Sequence, residues 1–140
     1  MIRLKETLES AWTPELGGKF GDMRLLVKAD LPVTRRKRST QYMKVSPDAS
    51  NGLVMDVAHF VRDYDETVLN LIVGWENVGD GEGNPLSFSQ EAVKMLINYA
   101  DEETGHEIKA GTPEEPKTRP ALLFEYVYRF AGDTRNFLKN

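Results

Sequence analysis

Apolar residues recur at the 3.6-residue spacing of an α-helix between positions 54 and 73, and this pattern constrains the fold more than any other stretch. The apolar positions are Val54, Val57, Ala58, Val61, Tyr64, Val68, Leu71 and Ile72. Asp65 is the only misfit on that face, so the pattern predicts an amphipathic helix from about residue 54 to 73. A chain of 140 residues suits one domain, since two separate cores would each be near the lower limit of stability.

Two later segments also carry helical patterns. Ser89 is a suitable N-cap, and Phe88 and Val93 have the spacing of a hydrophobic staple. The expected buried stripe of this second helix is Ala92, Val93, Leu96, Ile97 and Ala100. A third helix is expected from about Ala121 to Ala131, where the chain is apolar nearly all round and needs cover from its own fold or from a partner.

The first part of the chain carries strand patterns instead. Residues 22 to 29 alternate strictly between two faces, which predicts a half-buried strand. A second strand is expected from Thr40 to Val45, so the simplest interpretation is a β-ribbon with the basic run Arg35-Arg36-Lys37-Arg38 at its tip. The first dozen residues are roughly periodic and predict a short helix.

Together these elements predict an α+β fold that is mainly helical. It has three principal helices and a small antiparallel two-stranded β-ribbon near the N-terminus. We expect a single domain over residues 1–140, with an N-terminal helix and basic ribbon region over 1–53 and a helical region over 54–140. The stretch from Gly111 to Pro120 carries three prolines and is not expected to stay helical for long.

Charge is segregated along the chain. Residues 19 to 44 hold eight basic side chains against two acids, for a net charge of +6. Residues 45 to 116 hold fifteen acids against three basic side chains, for a net charge of −12. The overall charge of −4 therefore conceals a strongly polarised molecule.

Composition excludes several classes of protein. The absence of cysteine excludes disulfide scaffolds, thiolate metal sites and cysteine nucleophiles. No apolar run approaches the ~20 residues that span a bilayer. Acidic residues among the first ten argue against a signal peptide. We therefore expect a cytoplasmic protein without membrane contact.

Catalytic patterns are missing from the sequence. His59 and His106 lack ligand spacing, which favours a structural or surface role for each. There is no nucleophile elbow and no phosphate-binding glycine motif. The sequence therefore predicts no catalytic residue, no metal, no cofactor and no enzymatic activity.

An acidic, glycine-rich loop resembles a calcium site in spacing only. Asp80, Glu82, Asn84 and Glu91 occupy positions 1, 3, 5 and 12 of such a loop. Pro85 stands where the loop requires glycine, and its φ is locked near −65°. We therefore expect a turn before a helix rather than a calcium site.

The basic run Arg35-Arg36-Lys37-Arg38 leaves two interpretations open. On a ribbon tip it could bind the phosphate backbone of a nucleic acid. It could equally be a solvated loop or dock on an acidic surface of another subunit. Nucleic acid is the less favoured partner, because most of the remaining chain is acidic.

The second half of the chain contains five sequence segments whose order along the chain is informative. They are Asn70-Leu71-Ile72-Val73-Gly74-Trp75-Glu76-Asn77-Val78, then Asp80-Gly81-Glu82-Gly83-Asn84-Pro85-Leu86-Ser87-Phe88-Ser89, a helix with Glu91, Val93, Leu96 and Ile97, an aromatic helix around Tyr126, and Arg135-Asn136-Phe137-Leu138-Lys139-Asn140. This order resembles tail assembly chaperones of tailed bacteriophages and prophages, over about residues 55 to 140. In that family a W-x-x-V segment ends a helix and a D-G-x-P-x-x-F-S turn opens the next one.

The resemblance implies a non-enzymatic role in virion morphogenesis in the host bacterial cytoplasm. Such chaperones coat the tail tape-measure protein and recruit tail-tube subunits. Opposite charge regions allow neighbouring copies to align head to tail, which allows a homo-oligomer. The alternatives are a tail-completion or connector subunit, and a small nucleic-acid-binding or regulatory protein that uses the basic ribbon.

Candidate site residues follow from the resemblance and from residue type. Aromatic anchors dominate interfaces, so the candidate partner contacts are Tyr126, Tyr128 and Phe130, with plain core packing as the alternative. The basic candidates are Arg35, Arg36, Lys37 and Arg38. The residues expected to shape the motif are Trp75, Asp80, Phe88, Ser89 and Asn140.

Overall fold

The structure, a computed structural model, describes residues 1–45, 53–101, 107–111, 116–120 and 122–139. Within these residues the chain is α+β, which confirms the predicted class. They form four α-helices where three were predicted, and a three-stranded antiparallel sheet where a two-stranded ribbon was predicted. The elements are β1 (Ser10–Trp12), β2 (Arg24–Lys28), α1 (Pro32–Ser39), β3 (Met43–Val45), β4 (Leu53–Met55), α2 (Val57–Leu71), β5 (Ile72–Glu76), α3 (Gln90–Asp101), β6 (Glu107–Gly111), β7 (Pro116–Pro120) and α4 (Leu123–Gly132).

Strand β2 is the centre of the three-stranded sheet. It pairs antiparallel with β1 on one side and with β5 on the other. The strand predicted over residues 22–29 is confirmed, and Met23, Leu25 and Val27 are buried on one face as the alternation requires. Its partner β1 is the preceding strand, whereas β5 comes from a distant part of the sequence, and the pattern of β2 alone encodes neither pairing.

The predicted β-ribbon is wrong. The segment that follows β2 is helix α1, which contains the whole basic run, and β2 does not pair with β3. Pro32 stands in the first turn of α1, where its fixed φ suits a helix, and arginine and lysine are good helix formers. Residues Thr40–Tyr42 form a 3₁₀ turn, so the predicted second strand shrinks to β3, which pairs with β4.

The predicted N-terminal helix is also wrong. Residues 1–9 are outside any helix, and β1 begins at Ser10. Thr7 forms an isolated β-bridge with Leu138, and the Leu8 N–H donates to the Phe137 carbonyl oxygen at 2.6 Å. These backbone groups therefore bond to the C-terminal segment, which a helix over the same residues would prevent.

Helix α2 is shorter at both ends than the apolar pattern predicts, because it begins at Val57 and the predicted first residue, Val54, lies in strand β4. It ends at Leu71, and the chain passes directly into β5 at Ile72. Val68, Leu71 and Ile72 are all buried, because the end of the helix and the start of the strand face the same core. Among the positions whose burial the structure describes, the pattern located Val68, Leu71 and Ile72 correctly and left Tyr64 half-buried, and it misplaced the helix boundaries.

Helices α3 and α4 agree closely with expectation. The predicted stripe of α3 is buried at Ala92, Val93, Ile97 and Ala100, and its fifth member, Leu96, is half-buried. Helix α4 buries Leu123, Val127 and Ala131, which join one hydrophobic core with residues of α2, α3, β2 and β5. This core places the N-terminus of α4 beside the end of α3 and its C-terminus beside α1.

Two short two-stranded antiparallel sheets complete the described chain. Strand β3 pairs with β4, and β6 pairs with β7 from Glu107↔Pro120 to Gly111↔Pro116. The prolines of β7 stand at its ends, where a missing N–H is tolerated best. The described residues include no helix that is both long and apolar enough to cross a membrane.

Candidate functional site

The residues that carry the Trp-to-Phe-Ser order form one compact unit from Trp75 of β5 to Ser89 before α3. The resemblance implies a helix that ends at the W-x-x-V segment, and this is wrong here, because α2 ends at Leu71 and Trp75 lies in a strand. The Trp75 indole Nε1 donates a hydrogen bond to the Leu86 carbonyl oxygen at 2.9 Å. The Trp75 and Phe88 rings meet edge to face, with centroids 5.1 Å apart. The Leu86 N–H donates to the Val78 carbonyl oxygen at 2.8 Å. Leu86 is therefore hydrogen-bonded both to Trp75 and to the segment that follows β5.

Asp80 organises the glycine-rich turn at the tip of this unit. Its Oδ1 accepts hydrogen bonds from the backbone N–H groups of Glu82 and Asn84, at 2.9 and 3.0 Å. Gly83 adopts φ +83°, a conformation that favours glycine. The predicted turn is confirmed. No group of three or more histidine, cysteine or acidic side chains able to hold a metal lies in the described part of the chain.

Ser89 starts helix α3 as predicted. Its Oγ accepts a hydrogen bond from the Ala92 N–H at 3.0 Å, which satisfies one of the unpaired donors at the helix N-terminus. Phe88 packs against the ring of Trp75 and remains 37% exposed. The turn motif therefore has a structural role, and Phe88 presents part of its ring to the surface.

The basic run is divided between two sides of α1. Arg35 donates from Nε to Asp30 Oδ2 at 3.0 Å, and Arg38 donates to both Asp30 oxygens at 2.8 and 2.7 Å. Asp30 is only 3% exposed. Arg36 and Lys37 are exposed and form no ion pair among the described residues. Two of the four basic side chains, Arg35 and Arg38, therefore bind a buried carboxylate within the protein.

The Asp30 cluster joins three elements of the fold. The Asp30 N–H donates to the Ala131 carbonyl oxygen at 2.8 Å, and Arg35 donates to the Tyr128 carbonyl oxygen. The Arg35 guanidinium lies 3.7 Å from the centroid of the Tyr128 ring, which is a close cation–π contact. A Cβ at position 132 would collide with the same guanidinium, so Gly132 allows α1 to approach α4.

The pKa of the Asp30 carboxyl shows which of two opposing effects dominates. Burial alone would raise this pKa, because it disfavours the charged form. The hydrogen bonds and charges of Arg38 and Arg35 outweigh burial, so the pKa lies below its ordinary value. Asp30 is therefore held ionised between two cations.

The predicted aromatic contacts of α4 lie mostly within the protein. Tyr126 stacks on Phe130 with centroids 6.2 Å apart, and Phe130 meets Phe137 edge to face at 5.6 Å. Burial raises the pKa of Tyr126 to about 12. Tyr128 contacts the ring of Tyr64 at 4.7 Å. These side chains are half-buried, and their role in binding a partner stays a prediction.

A small cavity lies beside the arginine cluster. It has a volume of about 40 Å³, which is far below the several hundred Å³ of a typical ligand pocket. Its lining residues are Arg35, Arg38, Ser39, Tyr42, Tyr64 and Tyr128. The Tyr42 hydroxyl, itself buried, donates to Asp63. This network was not predicted, because it joins residues that are far apart in the sequence.

Asp101 caps helix α4 from outside that helix. Its Oδ1 accepts from the Leu123 N–H at 2.8 Å and its Oδ2 from the Phe124 N–H at 3.1 Å. Asp101 is the last residue of α3, so a carboxylate of one helix satisfies unpaired donors of another. Sequence reasoning missed this contact, because a cap is normally sought immediately before the helix.

Removing this remote cap should destabilise the protein. We expect Asp101→Ala to lower the free energy of unfolding by about 1 kcal/mol, the typical value for a lost N-cap. Urea unfolding followed by circular dichroism measures the change. Asp65→Ala removes an exposed carboxylate on α2 and should change stability by less than about 0.5 kcal/mol. Equal stability of the two variants would contradict the capping role.

Among the helical residues whose exposure the structure describes, Met95 and Tyr99 on the outer face of α3 are the most exposed large apolar side chains. Met95 and Tyr99 are one helical turn apart and are 65% and 66% exposed. Lys19 lies 4.6 Å from the Tyr99 ring centroid. Next to Tyr99 is an open depression of about 590 Å³, lined by Ile97, Asn98, Tyr99 and Asp101. This face was not among the predicted contacts, although Met95 and Tyr99 lie off the buried stripe.

The structure brings some predicted site residues together and leaves others separate. Trp75 contacts Phe88, and Arg35 contacts Tyr128, so the basic run and the aromatic helix share one cluster. Asn140 and His106 lie outside the described residues, as does the side chain of His59.

Comparison of the chain with protein-family models, curated proteins and solved structures finds no match.

Proposed function

We propose that this chain is a non-enzymatic bacteriophage or prophage tail assembly chaperone, which binds tape-measure and tail-tube proteins in the host bacterial cytoplasm. The observation that supports this proposal is the unit from Trp75 to Ser89. Residues that share an order with that family also share a structural task here, since the indole, the Asp80 turn, the Phe88 ring and the Ser89 cap together set the start of α3.

The exposed face of α3 is the surface proposed to bind the client. Methionine adapts to varied apolar shapes, and tyrosine supplies a large ring at little entropic cost. Met95 and Tyr99 present such a pair at helical spacing, and Phe88 exposes part of its ring before the same helix. An amphipathic helix of a tape-measure protein can pack its apolar face against a pair of this kind.

The test is co-expression with the tape-measure protein encoded at the same locus. We expect the chain to keep that protein soluble and to co-purify with it. Met95→Glu/Tyr99→Glu should reduce the recovered complex at least about tenfold, because it places two carboxylates in an apolar contact, a cost of at least ~1.4 kcal/mol. Quantitative immunoblotting of the co-purified fraction measures the loss.

Asp65→Ala is the control, since it changes an exposed side chain on α2, which holds none of the candidate partner contacts. The control should co-purify as the wild type does. A locus without tape-measure and tail-tube genes would count against the proposal. Recovery of the chain from purified finished particles would instead favour the tail-completion or connector role, because a chaperone is released before the virion is complete.

A further inference from the structure

Residues 1–6 form an exposed arm with an alternating apolar pattern. Ile2 and Leu4 are 87% and 91% exposed, and Arg3 and Lys5 stand between and beyond them. An extended segment of this kind places Ile2 and Leu4 on one face and the two cations on the other. In the described structure the arm belongs to no helix or strand, so its apolar face is left in water at a free-energy cost.

The root of the arm is held firmly by the C-terminal segment. The Lys139 N–H donates to the Glu6 carbonyl oxygen at 2.9 Å, and Thr7 bridges Leu138. These bonds place the root on the β1 side of the sheet, whereas β5 lies on the other side of β2. The arm therefore leaves the protein from the sheet edge opposite β5.

Strand β5 offers a complementary edge. It is the last strand in the order β1-β2-β5, so within the described residues its outer backbone edge has no paired strand. It is five residues long, one fewer than the arm, and Val73 on it is 40% exposed. Glu76 ends the strand, and the exposed acids Asp80 and Glu82 follow it.

We propose that the arm of one copy adds to the β5 edge of a second copy as a fourth strand of its sheet. Backbone hydrogen bonds would supply affinity, and Ile2 and Leu4 would cover the exposed side of β5. Arg3 and Lys5 would then point to the opposite face of the sheet, so the acids after β5 would attract them through net charge and not through assigned ion pairs. Because the arm and the acceptor edge are different surfaces, the contact is head to tail and can continue from copy to copy. This self-assembly goes beyond the proposed client binding and does not depend on it.

Sedimentation of the full chain over a range of concentrations tests the proposal. The wild type should gain mass above 15.9 kDa as its concentration rises. The arm variant Ile2→Asp/Leu4→Asp and the edge variant Val73→Lys should each remain monomeric, since charges on either strand oppose pairing. Val33→Lys, an equivalent change at an exposed site on α1, should assemble like the wild type.

Mixing the two defective variants distinguishes this contact from other modes of association. The arm variant keeps an intact edge and the edge variant keeps an intact arm. An equimolar mixture should therefore form a heterodimer of about twice the monomer mass and nothing larger. A monomeric wild type, as expected if the arm folds onto its own β5, overturns the proposal, and so does assembly of either variant alone.

Hydrogen exchange of the wild type provides a second measurement that needs no substitution. Amide protection of residues 2–5 and 73–75 should rise together with protein concentration. Protection that is independent of concentration overturns the proposal even if a variant fails to fold. If the arm variant or the edge variant fails to self-assemble but still binds the tape-measure protein, the contact between copies and the proposed client-binding surface are different surfaces.

Discussion

Asp30→Asn is expected to lower the free energy of unfolding by about 3 kcal/mol at neutral pH, because it leaves two arginines packed against an uncharged residue. Asp30 is almost fully buried, and its carboxylate receives three hydrogen bonds from Arg35 and Arg38. Its backbone also binds α4, so the cluster holds α1 against the core. Chemical denaturation measures the loss.

The matched control is Arg36→Ala, in which an exposed cation of the same helix is removed. Its effect should stay within about 0.5 kcal/mol. If Asp30→Asn is no more harmful than the control, the ion cluster contributes little net stability, as some buried ion pairs do.

The contribution of Asp30 should also depend on pH in a defined direction. Its pKa is lower in the folded protein than in the unfolded chain, so folding binds fewer protons at this group. The stabilisation is complete above the unfolded-state pKa of about 3.9 and is lost as the pH falls through the lower folded-state value. The stability difference between the wild type and Asp30→Asn should therefore shrink below about pH 4.

Phe137→Ala should produce a loss of similar or greater size, about 3–5 kcal/mol. The Phe137 ring is completely buried and meets Phe130 edge to face at 5.6 Å. Its removal leaves a cavity beneath the segment that bonds to Leu8, so the root of the arm should also loosen. Thermal unfolding measures the first effect and hydrogen exchange at Leu8 measures the second.

Phe88→Ala is a chemically identical change at a half-exposed position. Its ring contacts Trp75 but does not fill the core, so we expect a cost of about 1 kcal/mol. Comparable losses at both positions would show that the C-terminal segment is not an integral part of the core.

Elements that are specified by their own residues could be interpreted correctly from the sequence. Alternation predicted β2, and helical spacing with the Ser89 cap predicted α3. The Asp80 turn followed from the glycines and from the preference of Asp for bonding nearby N–H groups. In each case the residues that specify the element lie within the element itself.

The errors arose where a segment takes its structure from distant partners. Helix α1 is polar apart from a few residues, so it has no apolar stripe, and Asp30 and Tyr128 hold it in place. The first residues look helical, yet their backbone bonds to Phe137 and Leu138. Local propensity is worth a few tenths of a kcal/mol per residue, and such contacts override it.

For the candidate site, the sequence alone determined the turn motif, the segregated charge and the residues of α3 that face the hydrophobic core. Only the tertiary structure decided that Arg35 and Arg38 turn inward while Arg36 and Lys37 remain in water. It also placed the α4 aromatics in half-buried contacts and left Met95 and Tyr99 exposed. The physical reason is that a periodic pattern records which residues avoid water, whereas burial of a charge or an aromatic ring depends on which distant groups satisfy it.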